Sequence, residues 1–393
     1  MSMEKVTLGE LYTVHNGLSK GRKFFGSGYP FLSFSTVFNN YFIPNELVDL
    51  VQSDEKEQKI YSISRGDVFV TRTSETSDEL GMSCVALKDY PRATYNGFTK
   101  RMRPITTDRV HPEYIGYYMR MPSFRGEFQA FSTMTTRASL RNEDLLSLTI
   151  LLPPMEQQIK IAEVLQTYDK LIENNQKQIK LLEEAAQRLY KEWFVDLRFP
   201  GYEDVKVVDG VPDGWKKEKL IDIADVQYGF AFDGSLFNSQ GKGTPIIRIR
   251  NIPSGTTSDY TTQEADDQYI VSNGDIVVGM DGEFHINSWS GKTAYLVQRT
   301  CKITPKKELM RGWLLQVIYG PIKFFEKTVV GATVAHLGKK HIDTIELLTG
   351  PDYLYAPFND LFNKRQLLLN QNILLKEARD RLLPKLMSGE IEV

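Results

Sequence analysis

The sequence predicts an α+β protein built twice over. Two globular mixed α/β domains are separated by two long helices, which pair as an antiparallel coiled coil, and the chain carries a pseudo-two-fold internal repeat. Three observations carry this expectation. Blocks of the first half recur in the same order in the second. Two long segments place apolar residues at heptad spacing, and a stretch rich in Pro, Gly and Asp divides the halves. The expected boundaries are 1–152 for the first domain, 153–198 for its helix, 199–350 for the second domain and 351–393 for the last helix.

The repeat is clearest around a Gly-Asp pair. YSISRGDVFV from Tyr61 and YIVSNGDIVV from Tyr269 align Gly66-Asp67 with Gly274-Asp275, each pair ending a polar turn and opening a β-branched run. Upstream, Leu8, Val14 and Gly17 match Leu220, Val226 and Gly229, and GYPFLSF resembles GTPIIRI. Downstream, MTTRASLRNEDLLSLTILLPP from Met134 parallels GATVAHLGKKHIDTIELLTGP from Gly331, with Thr136/Thr333 and Leu140/Leu337 in register. The helical blocks match too: Leu182, Glu184, Ala185, Arg188 and Leu189 fall on Leu375, Glu377, Ala378, Arg381 and Leu382. FPGYEDVKVVDGVPDGW reads as the loop between the halves.

Pro153-Pro154 before MEQQ marks a helix start, because proline is tolerated where backbone N–H groups lack partners. One seam of that helix holds Leu165, Ile172, Ile179, Ala186 and Trp193; the other holds Ile161, Tyr168, Asn175, Leu182 and Leu189. With no Pro or Gly from Glu156 to Asp196, the rod could reach ~60 Å at ~1.5 Å per residue. The last helix repeats the device with Leu361, Leu368, Leu375 and Leu382, and with Phe358, Arg365, Asn372, Arg379 and Leu386. Pro384 is expected to kink or end it by removing a backbone donor. Either stripe alone could pack on its own domain. Two in one chain supply partners for each other, with Asn175 and Asn372 favouring register over stability.

Composition narrows the function. The 393 residues correspond to two or three units at ~100–200 residues per domain. With 41% apolar and 25% charged residues, the chain is an ordinary globular protein, neither disordered nor collagen-like. No apolar run approaches the ~18 residues of a membrane span, the N-terminus lacks a signal-peptide pattern, and a cytoplasmic location is expected. Cys84 and Cys301 stand too far apart for a metal or redox motif. A formal charge of −2 argues against non-specific polyanion binding, so any nucleic-acid role must rest on local patches.

The motifs of catalysis are absent or broken. WSGKT, ending at Thr293, lacks the first glycine of a phosphate loop, since Ile286 stands there. His336 and His341 are five apart and off one helical face. Phe24-Phe25-Gly26-Ser27-Gly28 fits an S-adenosylmethionine-binding pattern, but the only Pro-Pro lies in LLPPM, not in an amine-binding loop. A glycine-rich turn explains it better.

Several expected loops instead combine cationic, amide and hydroxyl groups. In the first domain these are SKGRKFF (Lys20, Arg22, Lys23), TRTSETS (Arg72, Thr73, Ser74), GFTKRMR (Lys100, Arg101, Arg103) and MTTR (Thr135, Thr136, Arg137). In the second they are RIRN (Arg248, Arg250, Asn251), GMDGEFHINSWSGK (Asp281, His285, Asn287, Lys292) and TVAHLGKK (Thr333, His336, Lys339, Lys340). Arg and Lys pair with guanine edges, Asn with adenine and Asp with cytosine, while Thr and Lys also hold phosphates. For any one of these residues a solvated surface charge is an equal explanation. The position-matched loops after each Gly-Asp strand are the leading DNA-binding candidates.

LPPMEQQ before a heptad helix, GDVFVTRT and GDIVVGMD, and LLPKLMSGEI near the C-terminus resemble the specificity subunits of type I restriction-modification systems, and so does the order of the whole chain. The resemblance implies two target-recognition domains, each reading half of a split, asymmetric DNA site. It implies helices that act as a ruler and dock two methyltransferase subunits, and possibly restriction subunits. S-adenosylmethionine, ATP and Mg are then expected on those partners, with no cofactor, metal or catalytic residue in this chain. Gly279-Met280-Asp281 stands where the first domain has Thr71-Arg72-Thr73, so the half-sites should differ. Two other readings remain open: a non-catalytic coiled-coil scaffold joining two protein-binding modules, and an enzyme with an unrecognised site, such as a nuclease or self-sufficient methyltransferase.

Overall fold

The computed structural model describes residues 3–74, 80–130, 138–328 and 335–393. The chain forms two compact units, Met1–Lys170 with Glu377–Val393 and Leu171–Lys376. No helix among the described residues is long and apolar enough to cross a membrane.

In the first unit, a four-stranded antiparallel sheet runs in the order Tyr12–Asn16, Thr99–Pro104, Val68–Thr71, Ser83–Val85. The β-branched run after Gly66-Asp67 is its buried inner strand. Because side chains alternate across a strand, Val68 and Val70 enter one core while Phe69 enters another with Leu32, Cys84 and Tyr95. Alongside it, Phe25–Leu32 pairs in parallel with Thr94–Tyr95, Phe31 lying opposite Thr94. Glu4–Thr7 pairs with Thr149–Leu152, so the domain closes beside the point where the long helix departs.

The second unit repeats this plan, with the sheet that holds the parallel pair widened from three strands to five. Its sheet runs Ala224–Tyr228, Thr300–Pro305, Ile276–Gly279, Ile286–Ser288. Ile276 and Val278 enter one core and Val277 the other. Thr244–Ile247 pairs in parallel with Ala294–Leu296, and Lys216–Lys219 closes on Glu346–Thr349. The repeat extends to single atoms. A Cβ on Gly17 would lie 2.0 Å from the Asn96 carbonyl oxygen, and one on Gly229 would lie 2.1 Å from that of Val297. Gly66 and Gly274 share φ values of 89° and 88°, which only glycine adopts without strain.

The first long helix, Met155–Tyr190, starts directly after Pro154. Its Gln158 is buried, donating to the Arg109 and Pro153 carbonyls and accepting from the His111 N–H. The helix ends in a π-helical turn, Lys191–Val195, that the heptad pattern does not announce. Ala356–Ser388 is the second long helix, and Pro384 lies inside it. Of the expectation that Pro384 kinks or ends the helix, the ending is corrected, since the helix runs on to Ser388. Proline removes one donor there, and burial of Leu383, Leu386 and Met387 in the first unit's core offsets that loss.

Within each unit the two helices run antiparallel. In the second unit Asn175 Nδ2 donates to Asn372 Oδ1 at 3.0 Å, Arg365 pairs with Glu183 at 2.7 Å, and Trp193 meets Phe358 edge-on. In the first, Arg379 pairs with Asp169 at 2.5 Å, and Ile161 and Leu165 share a core with Leu383 and Leu386. Ile161, Leu165, Ile172, Ile179 and Leu368 are buried; Tyr168, Leu182, Leu189, Leu361, Leu375 and Leu382 are half-buried. Three further sequence readings change. GFTKRMR is not a loop, since Thr99–Pro104 is an inner strand; Phe25–Gly28 lies in a strand with irregular register rather than in a turn; and Val207–Val208 pairs with Val211–Pro212 in a hairpin inside the expected interdomain loop. Asp209 and Gly210 supply the positive φ values that such a hairpin turn needs.

Candidate nucleic-acid interface

The Gly-Asp turn anchors each sheet. Asp67 is fully buried, and both its oxygens accept from Arg103, at 2.8 and 2.6 Å, while it also caps the Ser64 N–H. That bond to Asp67 pushes the Arg103 pKa up, and Arg103 therefore serves the fold. Asp275 caps the Ser272 N–H in the same way, but takes its charge from Arg311, 3.3 Å away.

Beyond each inner strand, the chain turns through a matched backbone crossing. Arg72 N–H donates to Phe98 and Met280 N–H to Arg299; Leu140 N–H donates to Arg72 and Leu337 N–H to Met280. A cavity opens at each crossing. In the first domain it measures about 360 Å³ and is lined by Asn16, Arg72, Lys100, Leu140, Arg141, Asn142 and Glu143. The second is about 440 Å³ and is lined by Tyr228, Gly229, Met280, Gln298, Arg299, Thr300 and His336.

The linings differ in chemistry. Lys100 is 5% exposed and donates to Asn142 Oδ1, and burial together with nearby Arg72 pushes its pKa down. Arg72 Nε is buried and meets no acceptor among the described residues. Glu143 is exposed at the rim, and Arg141 is tied to Asp144. In the second domain, Asp281 accepts from His336 Nδ1 at 2.5 Å and from Arg299 at 2.8 Å. Met280 and Cys301 are buried where the first domain has Arg72 and Lys100.

The other candidates fall into two groups. Some are occupied within the protein: Lys20 by Glu57 and the Gln52 carbonyl, Arg101 by the Ser62 carbonyl, and Arg250 and Asn251 by Asp259. Asn287 donates to the Ile252 and Pro253 carbonyls and accepts from Arg365, and His285 lies 3.3 Å from Glu283. Arg101 is 7% exposed, stacks over Tyr95, and burial lowers its pKa. Exposed candidates are Arg22, Lys23, Lys292, Lys339 and Lys340, with Arg248 half-buried over Phe237. Thr73 and Ser74 form a short strand paired with Ala138–Ser139. Thr135, Thr136, Arg137 and Thr333 lie outside the described residues. Sequence reasoning missed Asn142, Arg299 and Gln298, which reach the cavities only through the fold; no local pattern marks them. Among the described residues no group of three or more His, Cys, Asp or Glu is arranged to hold a metal ion.

The type I restriction modification DNA specificity domain profile matches residues 2–184 and again 212–350, once per repeat. The chain belongs to this family. It is 26% identical to the type I restriction enzyme MjaIX specificity subunit of Methanocaldococcus jannaschii, covering 98% of this chain and 92% of that one. The HindI specificity subunit of Haemophilus influenzae is 23% identical, over 94% and 96% of the two chains. The crystal structure of the type I system S subunit from M. genitalium shares the fold at TM-score 0.56 and 14% identity, over 98% of this chain and 96% of that one. As a specificity chain rather than a catalytic one, the protein is a DNA sequence reader, and the paired cavities are its candidate contacts.

Proposed function

We propose that this specificity chain reads a split, asymmetric DNA site, the domain of 1–152 holding one half and that of 199–350 the other. The observation that carries the reading is one sheet built twice with equivalent cavities lined by different side chains. A common backbone suits a common duplex geometry, while different linings suit different bases. Helices 153–198 and 351–393 set the unspecified gap and dock two methyltransferase subunits, with restriction subunits joining the same assembly. Antiparallel helix contacts inside each unit support that role. S-adenosylmethionine, ATP and Mg belong on those partners, and the assembly works on DNA in the cytoplasm.

With 48 basic against 50 acidic residues, the chain alone binds DNA weakly and with steep salt dependence, and the methyltransferases supply further phosphate contacts. The test is co-expression with the cognate methyltransferase, followed by sequencing of modified adenines. A bipartite motif with a fixed gap is expected, and its gap alone should change when one helical turn is inserted between Leu165 and Leu182. Absence of site-specific methylation would favour a protein-binding scaffold. An insertion that altered the bases read would refute the ruler.

A further inference from the structure

The first domain's cavity has a property that its counterpart lacks. It holds two cations drawn partly or wholly from solvent, with one neutral amide, Asn142, accepting from Lys100. Its Arg72 presents a buried Nε with no acceptor among the described residues. A buried donor left unpaired carries its full desolvation cost, and beside an open cavity a ligand that brings acceptors would relieve it. Arg101 Nε is buried and unpaired as well, but Arg101 Nη1 donates to the Ser62 carbonyl, and Arg103 closes on Asp67 with two bonds.

Resting on the reading above, we propose that Arg72 and Lys100 form the seat for a guanine in the first domain's half-site. Guanine offers two adjacent acceptors, O6 and N7, on its major-groove edge, and a guanidinium or ammonium is their commonest partner. Adenine replaces O6 by an amino donor, which these two cations repel. Thymine and cytosine lack the paired acceptors. The second domain's cavity cannot take guanine in the same way. Met280 and Cys301 stand at the matched positions, and the cation that lines that cavity, Arg299, is already held by the Asp281 carboxylate, which also accepts from His336. The two seats therefore differ in whether their cation is already occupied by a carboxylate.

The comparison between domains also supplies the test. Arg72→Met puts into the first domain the residue the second carries at the matched crossing, so the backbone there accepts it. The methyltransferase complex carrying Arg72→Met is co-expressed, and its modified adenines are mapped beside wild type and Asp281→Asn. Expected is relaxation at one G·C position in one half, with guanine preference there falling roughly five- to 150-fold, the size of one good base contact. Asp281→Asn should leave that half unchanged. Lys100→Met, read by competition between duplexes differing at that position, should relax the same base.

If Arg72→Met blocks assembly, the Lys100→Met competition decides alone. An unchanged motif, or a uniform fall in methylation with the motif intact, overturns the proposal; the latter identifies a phosphate contact. A bipartite wild-type motif would still stand in either case, whereas its absence removes the underlying reading as well.

Discussion

The two domains of this chain are alike in backbone and unlike in chemistry, and the boundary between likeness and difference is sharp. The order of the four-stranded sheet, the parallel pairing and the closing ladder agree, and the close glycine approaches match at 2.0 and 2.1 Å. The side chains differ: Met280 occupies the position of Arg72, one residue past the inner strand, and Cys301 that of Lys100 on the neighbouring strand. What stays fixed is what backbone hydrogen bonds and buried glycines require. Side chains change more freely, even where they are bonded inside the fold: Asp67 closes on Arg103, whereas Asp275 takes Arg311. A duplicated scaffold can thus diverge in what it reads without renegotiating how it folds.

The largest expected break in this symmetry lies under the sheets. Asp67→Ala leaves Arg103 partly buried without its carboxylate and should cost the first domain about 3 kcal/mol. Asp275→Ala should cost the second domain roughly half of that, because Arg311 keeps Glu308 at 2.6 Å. Urea unfolding followed by a probe in each domain measures both, and equal losses would show that the two turns are anchored alike. Next, Gly17→Ala and Gly229→Ala each force a Cβ onto a backbone carbonyl, costing about 2–3 kcal/mol by overpacking. Here the two domains should agree within ~0.5 kcal/mol; a wider gap would mean that the crossings are not the same joint.

A smaller difference concerns Tyr117, whose hydroxyl meets Asp169 at 2.5 Å beneath the Arg379 pair. Tyr117→Phe should lower the first unit's stability by ~1.5 kcal/mol, while Asp169 keeps Arg379. A neutral result would show that Arg379 alone satisfies the carboxylate. Last, Cys84 and Cys301 sit at matched depth, and burial pushes both thiols up to about 12. An ordinary thiol near 8.5 is partly thiolate at pH 8 and alkylates readily. Both cysteines should resist iodoacetamide at that pH until the chain unfolds, and rapid labelling of one would single out the domain that opens first.

Much of this was legible in sequence because it depends on local or periodic signals. Gly17/Gly229 and Gly66/Gly274 are backbone requirements, so they persist through a divergent duplication. Heptad spacing marked Asn175 and Asn372, which the fold brings to 3.0 Å. Side-chain partners were illegible where they join distant segments. Nothing near Arg101 announces that Ser62 will occupy it, and nothing near Asp281 announces His336, 55 residues away. Basic residues in GFTKRMR read as surface because charge usually stays wet; here an inner strand carries Arg101 and Arg103 inward, each to an acceptor within the domain. Pro384 misled for a related reason, since a lost backbone bond is visible in sequence and compensating burial is not.

The division of the chain has a consequence for how it is made. The second unit is one uninterrupted stretch, Leu171–Lys376, whereas the first needs Glu377–Val393 to complete it. Leu383, Leu386 and Met387 fill its interior. At about 5–20 residues per second of translation, the N-terminal domain waits for more than two hundred further residues before its last wall emerges from the ribosome. The portion synthesised first is therefore the portion finished last, and a truncated message yields a chain whose opening domain still lacks part of its interior.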